Sequence, residues 1–211
     1  VGLIRESTEA RKVKKEVIRL LRKKGHKVYD CTCTNGTSQT DVLKRIVTKC
    51  NKHKVDLDIS IHFNCGVGDK KGNGKTTGTE GYVYSEKSAA KPAAERVVEE
   101  IAALGFKNRG VKIWTDLYVL RRTNSPAMLV ECCFVDDKDD VKLYDAKKMA
   151  AAIDGGEDYF CIDSKPIEIC RPACAKRCSM GKNEIEKAPS FGYCASQGVY
   201  YYGSLVSTKK S

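Results

Sequence analysis

The stretch 127–134 (AMLVECCF) limits the folds open to this chain most strongly, because it is apolar at every position but one. A strand that is apolar along its length is typical of a sheet covered on both faces, as in parallel α/β sheets. The run 57–63 instead alternates between apolar and polar residues, which also indicates a strand. Helical patterns separate such runs, so the sequence predicts an α/β fold: a mainly parallel or mixed sheet flanked by helices.

The other segments of the first 154 residues fit that alternation of strands and helices. Helices are predicted where apolar residues recur near the helical period, at 8–24, 40–53, 93–104 and 139–153. Further short strands are predicted at 27–33, 79–85 and 118–121. We expect Ser7 to cap the first helix and Gly25 to end it.

The composition changes after residues 154–156 (DGG). Beyond this point cysteines and aromatic residues are frequent, and clear periodicity is lost. We therefore predict a main domain over residues 1–154 and a small irregular segment over residues 157–211. A segment this short rarely forms a core of its own, so we expect it to pack poorly.

The formal net charge of +11 favours polyanionic partners such as nucleic acid, anionic lipid or the anionic polymers of a Gram-positive wall. Simple solubility explains the charge equally well, because many lysines lie on predicted exposed helix faces. No stretch approaches about 18 uncharged apolar residues, so no membrane span is predicted. The start at Val1 does not resemble a secretion signal, and we interpret the chain as a fragment or a processed form.

The sequence contains 11 cysteines, but their placement argues against a disulfide framework. Cys132 and Cys133 are adjacent within the apolar strand, and Cys50 lies on an apolar helix face. Buried free thiols behave as small apolar residues. The sequence therefore predicts free thiols and synthesis in a reducing compartment.

Three polar residues occupy positions that suggest chemistry. Glu131 interrupts the apolar strand, where a carboxylate is costly unless it is paired or bound, and such acids often mark function. His62 lies near the end of a strand, and Glu6 precedes the first helix; a structural hydrogen bond or helix-dipole compensation would also explain them. Because ligands bind beyond the carboxyl ends of parallel strands, we expect His62 and Glu131 to converge.

Five motifs follow one another in the first 154 residues: Glu6, 60–64 (SIHFN), 78–82 (GTEGY), 108–112 (NRGVK) and 129–134 (LVECCF). The series resembles zinc N-acetylmuramoyl-L-alanine amidases of the AmiC type, in the branch of clostridial cell-wall enzymes and phage endolysins. The resemblance covers residues 1–154. It implies a zinc-amidase fold and cleavage of the amide bond between N-acetylmuramic acid and L-alanine in peptidoglycan.

The resemblance also implies roles for the three polar residues. In that family a His, a Glu and a second His hold zinc, and an acid activates water. Glu6 matches the Glu ligand, His62 matches the second His, and Glu131 matches the water-activating acid. Three protein ligands with one open position are typical of catalytic zinc sites.

The first His of the family lies on an opening strand, which would precede Val1. We expect His26 and His53 to face solvent and not to replace it. Two ligands would hold zinc weakly. We therefore expect Val1–Ser211 neither to bind zinc nor to clear cell walls, whereas a chain extended to include the upstream strand would do both.

Three further residues are implied to lie around the site. Asn64 and Glu80 would orient the metal ligands, as partners of metal ligands commonly do. Arg109 would either meet a substrate carboxylate or pair with a surface acid. The polar, flexible loop 69–75 (DKKGNGK) would border an open groove for the polymer.

The C-terminal segment has a second resemblance. Residues 159–168 (YFCIDSKPIE), 175–178 (AKRC), 191–197 (FGYCASQ) and 200–203 (YYYG) are similar to parts of a DDE-class insertion-sequence transposase. Asp163 matches a metal-binding acid of that family, but the later acids are missing. The resemblance implies a fused, catalytically dead fragment.

Together these features predict a zinc-dependent peptidoglycan amidase, whole or inactive for want of one ligand. It would be made in the bacterial cytoplasm and act on the cell wall, by secretion or by release at lysis. Peptidoglycan is the expected partner, and nucleic acid and membrane are not. The alternatives are a transposase-derived or DNA-binding protein and a non-catalytic remnant.

Overall fold

The computed structural model describes residues 2–155 and, beyond them, only the backbone of three strands. The helices are α1 (Glu6–Lys23), α2 (Gln39–Cys50), α3 (Lys91–Ala103), α4 (Tyr118–Arg122), α5 (Lys138–Leu143) and α6 (Ala146–Asp154). The strands are β1 (Val28–Asp30), β2 (Leu57–Asn64), β3 (Thr79–Val83), β4 (Asn108–Ile113), β5 (Ala127–Phe134), β6 (Phe160–Ser164), β7 (Ser190–Cys194) and β8 (Val199–Gly203).

Six of these strands form one sheet in the order β1-β6-β2-β5-β3-β4. β3 runs antiparallel to β5, and every other neighbouring pair is parallel. The predicted α/β fold, with a mainly parallel or mixed sheet and flanking helices, is confirmed. β7 and β8 form a separate antiparallel pair.

The sheet has a hydrophobic core on each face. On one face, α1, α3 and α6 pack on strand residues that include Ile61, Phe63 and Val130. On the other face, α2 and α4 pack on Ala127 and Leu129 of β5. Successive residues of β5 therefore point into different cores, which explains why this strand is apolar throughout.

Residues 118–121, predicted to be a strand, form the short helix α4 instead. Val119 and Leu120 are consecutive, and both are buried in the same core. In a strand they would point to opposite faces of the sheet, whereas one helical turn lets both contact α2.

The single helix predicted over 139–153 is two helices in the structure. Tyr144 has an extended backbone that ends α5. Asp145 then caps α6, because its carboxylate accepts hydrogen bonds from the backbone N–H groups of Lys147 and Lys148. An aspartate at the N-cap favours a new helix start at this point.

The start of α1 also differs from the prediction. Arg5 occupies the N-cap position without a side-chain cap, and Ser7 lies buried within the first turn. Glu6 and Glu9 place negative charge in that turn, where it is favourable to the helix dipole. The predicted end is confirmed: the helix stops at Lys23, and Gly25 has a positive φ of 91°.

The predicted boundary near residue 156 follows directly after α6. The division into residues 1–154 and 157–211 stays a prediction, because most of the second segment lies outside the described residues. The backbone of β6 nevertheless pairs with β1 on one side and β2 on the other. Asp163 is in register with Ser60, and its side chain lies outside the described residues.

The prediction of free thiols is correct for most cysteines of the described part. Cys31, Cys33, Cys50, Cys132 and Cys133 are free and buried. Cys65 is disulfide-bonded, so the prediction is wrong at that position. Among the described residues, no helix has the length and apolar character needed to cross a membrane.

Candidate active site

The strands β2, β5 and β3 bring three candidate side chains into one line. His62 of β2 is in register with Glu131 of β5, and Glu80 of β3 is in register with Glu131 from the other side. Residues in register on adjacent strands project from the same face, and neighbouring strands lie about 4.8 Å apart. His62, Glu131 and Glu80 therefore form a row, here named the site row, at the carboxyl ends of β2 and β5.

Glu6 reaches the site row from the first turn of α1. The chain just before this helix is held at the end of β5, because the Leu3 N–H donates to the Val135 carbonyl over 2.6 Å. Glu6 Oε1 lies 3.3 Å from His62 Nδ1, and Glu6 is only 6% exposed. The structure thus gathers Glu6, His62 and Glu131 at one place, as the sequence predicted, although it does not test the roles assigned to them.

Glu131 occupies the centre of the site row and is 4% exposed. The buried thiol groups that follow it are unsuited to nucleophilic chemistry. Burial raises the pKa of Cys132, and the charge of Glu131 raises it further. Burial likewise raises the pKa of Cys133, with Asp140 as the next cause. Because the thiolate is the reactive form, both cysteines are structural.

Glu80 lies at the far end of the site row, and both oxygens of its carboxylate accept hydrogen bonds. Its Oε1 accepts hydrogen bonds from Asn64 Nδ2 at 2.5 Å and from the Tyr82 hydroxyl at 2.6 Å. Its Oε2 accepts from Arg109 Nε at 2.7 Å and from Lys112 Nζ at 2.5 Å. Burial alone would raise the pKa of Glu80, but these donors outweigh it and hold the pKa below its ordinary value of 4.5.

Asn64 and Glu80 were predicted to orient the metal ligands. In the structure they contact each other, and Asn64 Oδ1 also accepts the backbone N–H of Cys65 at 2.8 Å. These two bonds fix the orientation of the Asn64 amide. Whether the pair acts on the ligands stays a prediction.

Sequence reasoning did not single out Tyr82 or Lys112 as site residues. Tyr82 lies two positions after Glu80 on β3, so the strand alternation that places Glu80 on this face places Tyr82 there too. Lys112 on β4 is in register with Tyr82 on β3. The alternation could have revealed Tyr82, whereas Lys112 depends on the register of a strand that the sequence did not predict.

Arg109 pairs with Glu80, which is a buried acid and not the surface acid considered from the sequence. The guanidinium carbon also lies 5.1 Å from the ring centroid of Phe134. The alternative role, contact with a substrate carboxylate, is compatible with this pairing because the side chain remains 31% exposed.

Acidic side chains accept hydrogen bonds from the backbone of the glycine-containing loop 69–75, and its flexibility stays a prediction. Asp139 Oδ2 accepts the backbone N–H groups of Asn73 at 2.8 Å and Gly74 at 2.7 Å. Earlier in the same connection, Asp136 accepts two further backbone N–H groups, from Gly66 and Gly68.

The remaining histidines lie away from the site row. His53 follows α2, and its ring stacks on Tyr29 with centroids 3.6 Å apart. His26 precedes β1. Both residues are half-buried, so the expectation that they face solvent is only partly correct.

A family model for N-acetylmuramoyl-L-alanine amidases matches residues 1–156, which include the whole site row and Glu6. The chain belongs to the N-acetylmuramoyl-L-alanine amidase family. This membership agrees with the resemblance found in the motifs of the sequence.

Individual relatives also match a large part of the chain. An uncharacterized protein of Clostridium perfringens is 37% identical over 148 residues, which cover 70% of this chain and 43% of that protein. The endolysin of Bacillus phage SPP1 is 34% identical over 117 residues, which cover 51% of this chain and 40% of the endolysin. This chain therefore spans less than half the length of these relatives.

A solved structure shows the same fold. The catalytic domain of an endolysin targeting Clostridia difficile superimposes with a TM-score of 0.63 at 27% sequence identity. The match covers 72% of this chain and 82% of that domain.

The side chains of Glu6 and His62 fit zinc in part. A carboxylate oxygen and an imidazole nitrogen are both common zinc ligands. Across the described residues, however, no group of three His, Cys, Asp or Glu side chains is arranged to hold a metal ion. A catalytic zinc site uses three protein ligands, so Glu6 and His62 alone would not complete one.

Proposed function

We propose that this chain is the catalytic part of a peptidoglycan hydrolase that cleaves the amide bond between N-acetylmuramic acid and L-alanine. Family membership supports the reaction. The observation that carries the proposal is the buried acid Glu131, in register with His62, which in turn contacts Glu6. A polymer substrate also needs an accessible site, and the side chains of His62, Arg109 and Lys112 are 19%, 31% and 42% exposed.

Glu131 acts in this proposal as the general base and then as the general acid. It takes a proton from the water that attacks the amide carbonyl carbon. It then delivers this proton to the leaving nitrogen as the carbon–nitrogen bond breaks. The products are the lactyl carboxylate of the sugar and a free amino group on L-alanine.

We further propose zinc as the cofactor, with Glu6 and His62 as two ligands and a third from outside the described residues. Zinc held by these ligands would supply Lewis-acid chemistry, by activating water near neutral pH and polarising the amide carbonyl. The neighbouring network of Asn64 and Glu80 would keep the adjacent end of the site row rigid. Partners of this kind commonly orient metal ligands.

The setting of the reaction is also a proposal. The chain would be made in a bacterial cytoplasm and reach the wall by secretion or at lysis, within the clostridial and phage endolysin branch of the family. Its net charge of +11 would favour contact with anionic wall polymers. The segment 157–211, with Asp163, would be a transposase-derived fusion that adds no catalysis.

The experiment compares Val1–Ser211 with the same chain extended by the sequence encoded immediately upstream. Both are incubated with purified Gram-positive walls, and turbidity, new amino termini and new reducing sugars are measured. We expect the extended form to clear the walls and to release amino termini on L-alanine without reducing sugars. New reducing sugars would exclude an amidase. DNA retention with a steep salt dependence, without wall cleavage, would favour the DNA-binding alternative.

A further inference from the structure

Among the described residues, Arg109 forms a hydrogen bond through only one nitrogen of its guanidinium group, Nε. Its Nε donates to Glu80 Oε2 at 2.7 Å, and its carbon lies over the ring of Phe134. Among the described residues, neither of its two terminal nitrogens has a hydrogen-bond partner. The side chain is 31% exposed, and the terminal nitrogens of a guanidinium present their N–H donors as a planar fork.

A bulge in β4 lets both cations reach the same acid. Arg109 and Lys112 are three positions apart, so in a regular strand they would point to opposite faces. The register shifts between Thr79 and Gly81 of β3, and the extra residue in β4 coincides with Gly110 at a φ of 75°. Bulges of this kind commonly re-aim side chains beside functional sites.

The charges around Glu80 favour the binding of an anion. Arg109 and Lys112 both donate to the same oxygen of Glu80, so the group of three carries one positive charge in excess. Lys112 also lies 5.8 Å from the ring centroid of Tyr82 and is 42% exposed. A guanidinium with two free terminal NH2 groups matches a carboxylate in a bidentate geometry.

We propose that Arg109, supported by Lys112, binds a carboxylate on the peptide part of the substrate. The proposal rests on the proposed function, because it takes the amide to be cut to lie at His62 and Glu131. Glu80 is the next position along the site row, one strand spacing of about 4.8 Å from Glu131. An extended peptide advances about 3.3–3.6 Å per residue. The carboxylate therefore belongs to the first or second residue after the cut bond, which makes the glutamate that follows L-alanine the group to test.

The test uses the full chain Val1–Ser211 and measures binding, so it does not require turnover. The probes are two muramyl tripeptides, with L-alanine, γ-linked D-glutamate and L-lysine, which differ only in whether the glutamate α-carboxyl is free or amidated. Calorimetric titration should show that the free carboxylate binds roughly tenfold more tightly, as expected for a charge-assisted pair.

Three variants locate the effect. Arg109→Gln should make the two affinities equal. Arg109→Lys should lose most of the preference, because an ammonium lacks the fork, and this variant decides the question if Arg109→Gln does not fold. Arg19→Gln is the matched control: Arg19 also donates its Nε to a carboxylate, that of Glu16 at 2.8 Å, but lies on α1 away from the site row. It should keep the tenfold preference.

The possible failures are distinguishable. Equal binding of both tripeptides by the unaltered chain would overturn the carboxylate role and leave the proposed function standing. A preference that survives in Arg109→Lys and Arg109→Gln would also overturn it. Binding of neither tripeptide at millimolar concentration would overturn the carboxylate role, whereas the wall assay on the extended form decides the proposed function separately.

Discussion

His62 on β2 and Glu131 on β5 lie directly opposite each other across a pair of parallel strands. They are far apart in sequence, and the carboxyl ends of the two strands bring them together. This pairing places an imidazole beside a buried carboxylate. Substitution of either side chain should therefore have a measurable effect on hydrolysis or on zinc binding.

Replacing Glu131 with Gln should abolish proton transfer and leave the fold intact, because the shape of the side chain is kept. We expect hydrolysis of muramyl peptides to fall by about 10²–10⁴-fold in whichever form of the chain clears walls. Circular dichroism should be unchanged. The exposed Glu95→Gln on α3 is the control and should keep full activity; an undiminished rate in Glu131→Gln would remove this residue from the mechanism.

In the chain extended by its upstream sequence, Glu6→Gln and His62→Asn should each weaken zinc binding. Loss of a direct ligand costs at least as much as loss of the hydrogen-bond partner of a ligand, which lowers metal affinity by about 10–100-fold. Equilibrium dialysis with a zinc indicator measures the dissociation constants. His53→Asn removes a histidine stacked on Tyr29 and should leave zinc binding as it was. Equal effects of all three changes would argue against a site at Glu6 and His62.

Glu80 should make the fold sensitive to acid. Its pKa is lower in the folded chain than its ordinary value of 4.5, so the unfolded chain binds the proton more readily. The stability it contributes is therefore present above pH 4.5 and is lost as the pH falls through the lower folded pKa. Urea denaturation between pH 7 and pH 3, compared with Glu80→Gln, tests this. The variant should lose less stability on acidification, and parallel curves would contradict the prediction.

Gly78 should tolerate no side chain. Its φ is +102°, and an added Cβ would lie 1.9 Å from the backbone oxygen of Lys107. That oxygen already accepts the N–H of Thr79 at the start of β3. Gly78→Ala should therefore destabilise the fold on the order of 3–4 kcal/mol.

The matched control for Gly78 is Gly74, which has a φ of +79° but open space around the added Cβ. Gly74→Ala should destabilise the fold only through the left-handed backbone conformation, by about 1–2 kcal/mol. Urea denaturation of both variants gives the difference. Equal losses would mean that the backbone conformation, and not the clash with Lys107, limits position 78.

The position of β6 can be tested by a cross-link. Asp58 is in register with Cys161, and neighbouring strands are spaced about 4.8 Å apart, within the Cα separation that disulfides accept. Oxidation of the Asp58→Cys variant should therefore form a disulfide between position 58 and Cys161, detected by non-reducing peptide mapping. Asp56→Cys, which precedes β2, should not form one. Absence of the bridge from position 58 in a folded chain would show that β6 does not occupy this place in solution.

The sequence was informative where periodicity is strong and the geometry follows from it. The helices α1, α2 and α3 and the strands β2 and β5 follow from their apolar patterns, apart from their end residues. The gathering of His62 and Glu131 follows because parallel strands end at one edge of the sheet. Glu6 was placed by the family resemblance and not by periodicity.

Other features depend on tertiary structure and left little local signal. β4 (Asn108–Ile113) contains two charged residues and Gly110, and none of its residues is fully buried, so its pattern does not stand out as a strand. Lys112 joined the site only through the register of that strand. The order of strands in the sheet is likewise not encoded in any local pattern, so the place of β6 between β1 and β2 could not be predicted.

That placement has a consequence for synthesis. β1 and β2 leave the ribosome long before β6, yet they are joined through it. Until residue 164 has emerged, the inner edges of both strands lack their neighbour. Edges of this kind readily accept foreign strands. The nascent sheet therefore stays open between β1 and β2 until the ribosome has added β6, about 100 residues after the end of β2.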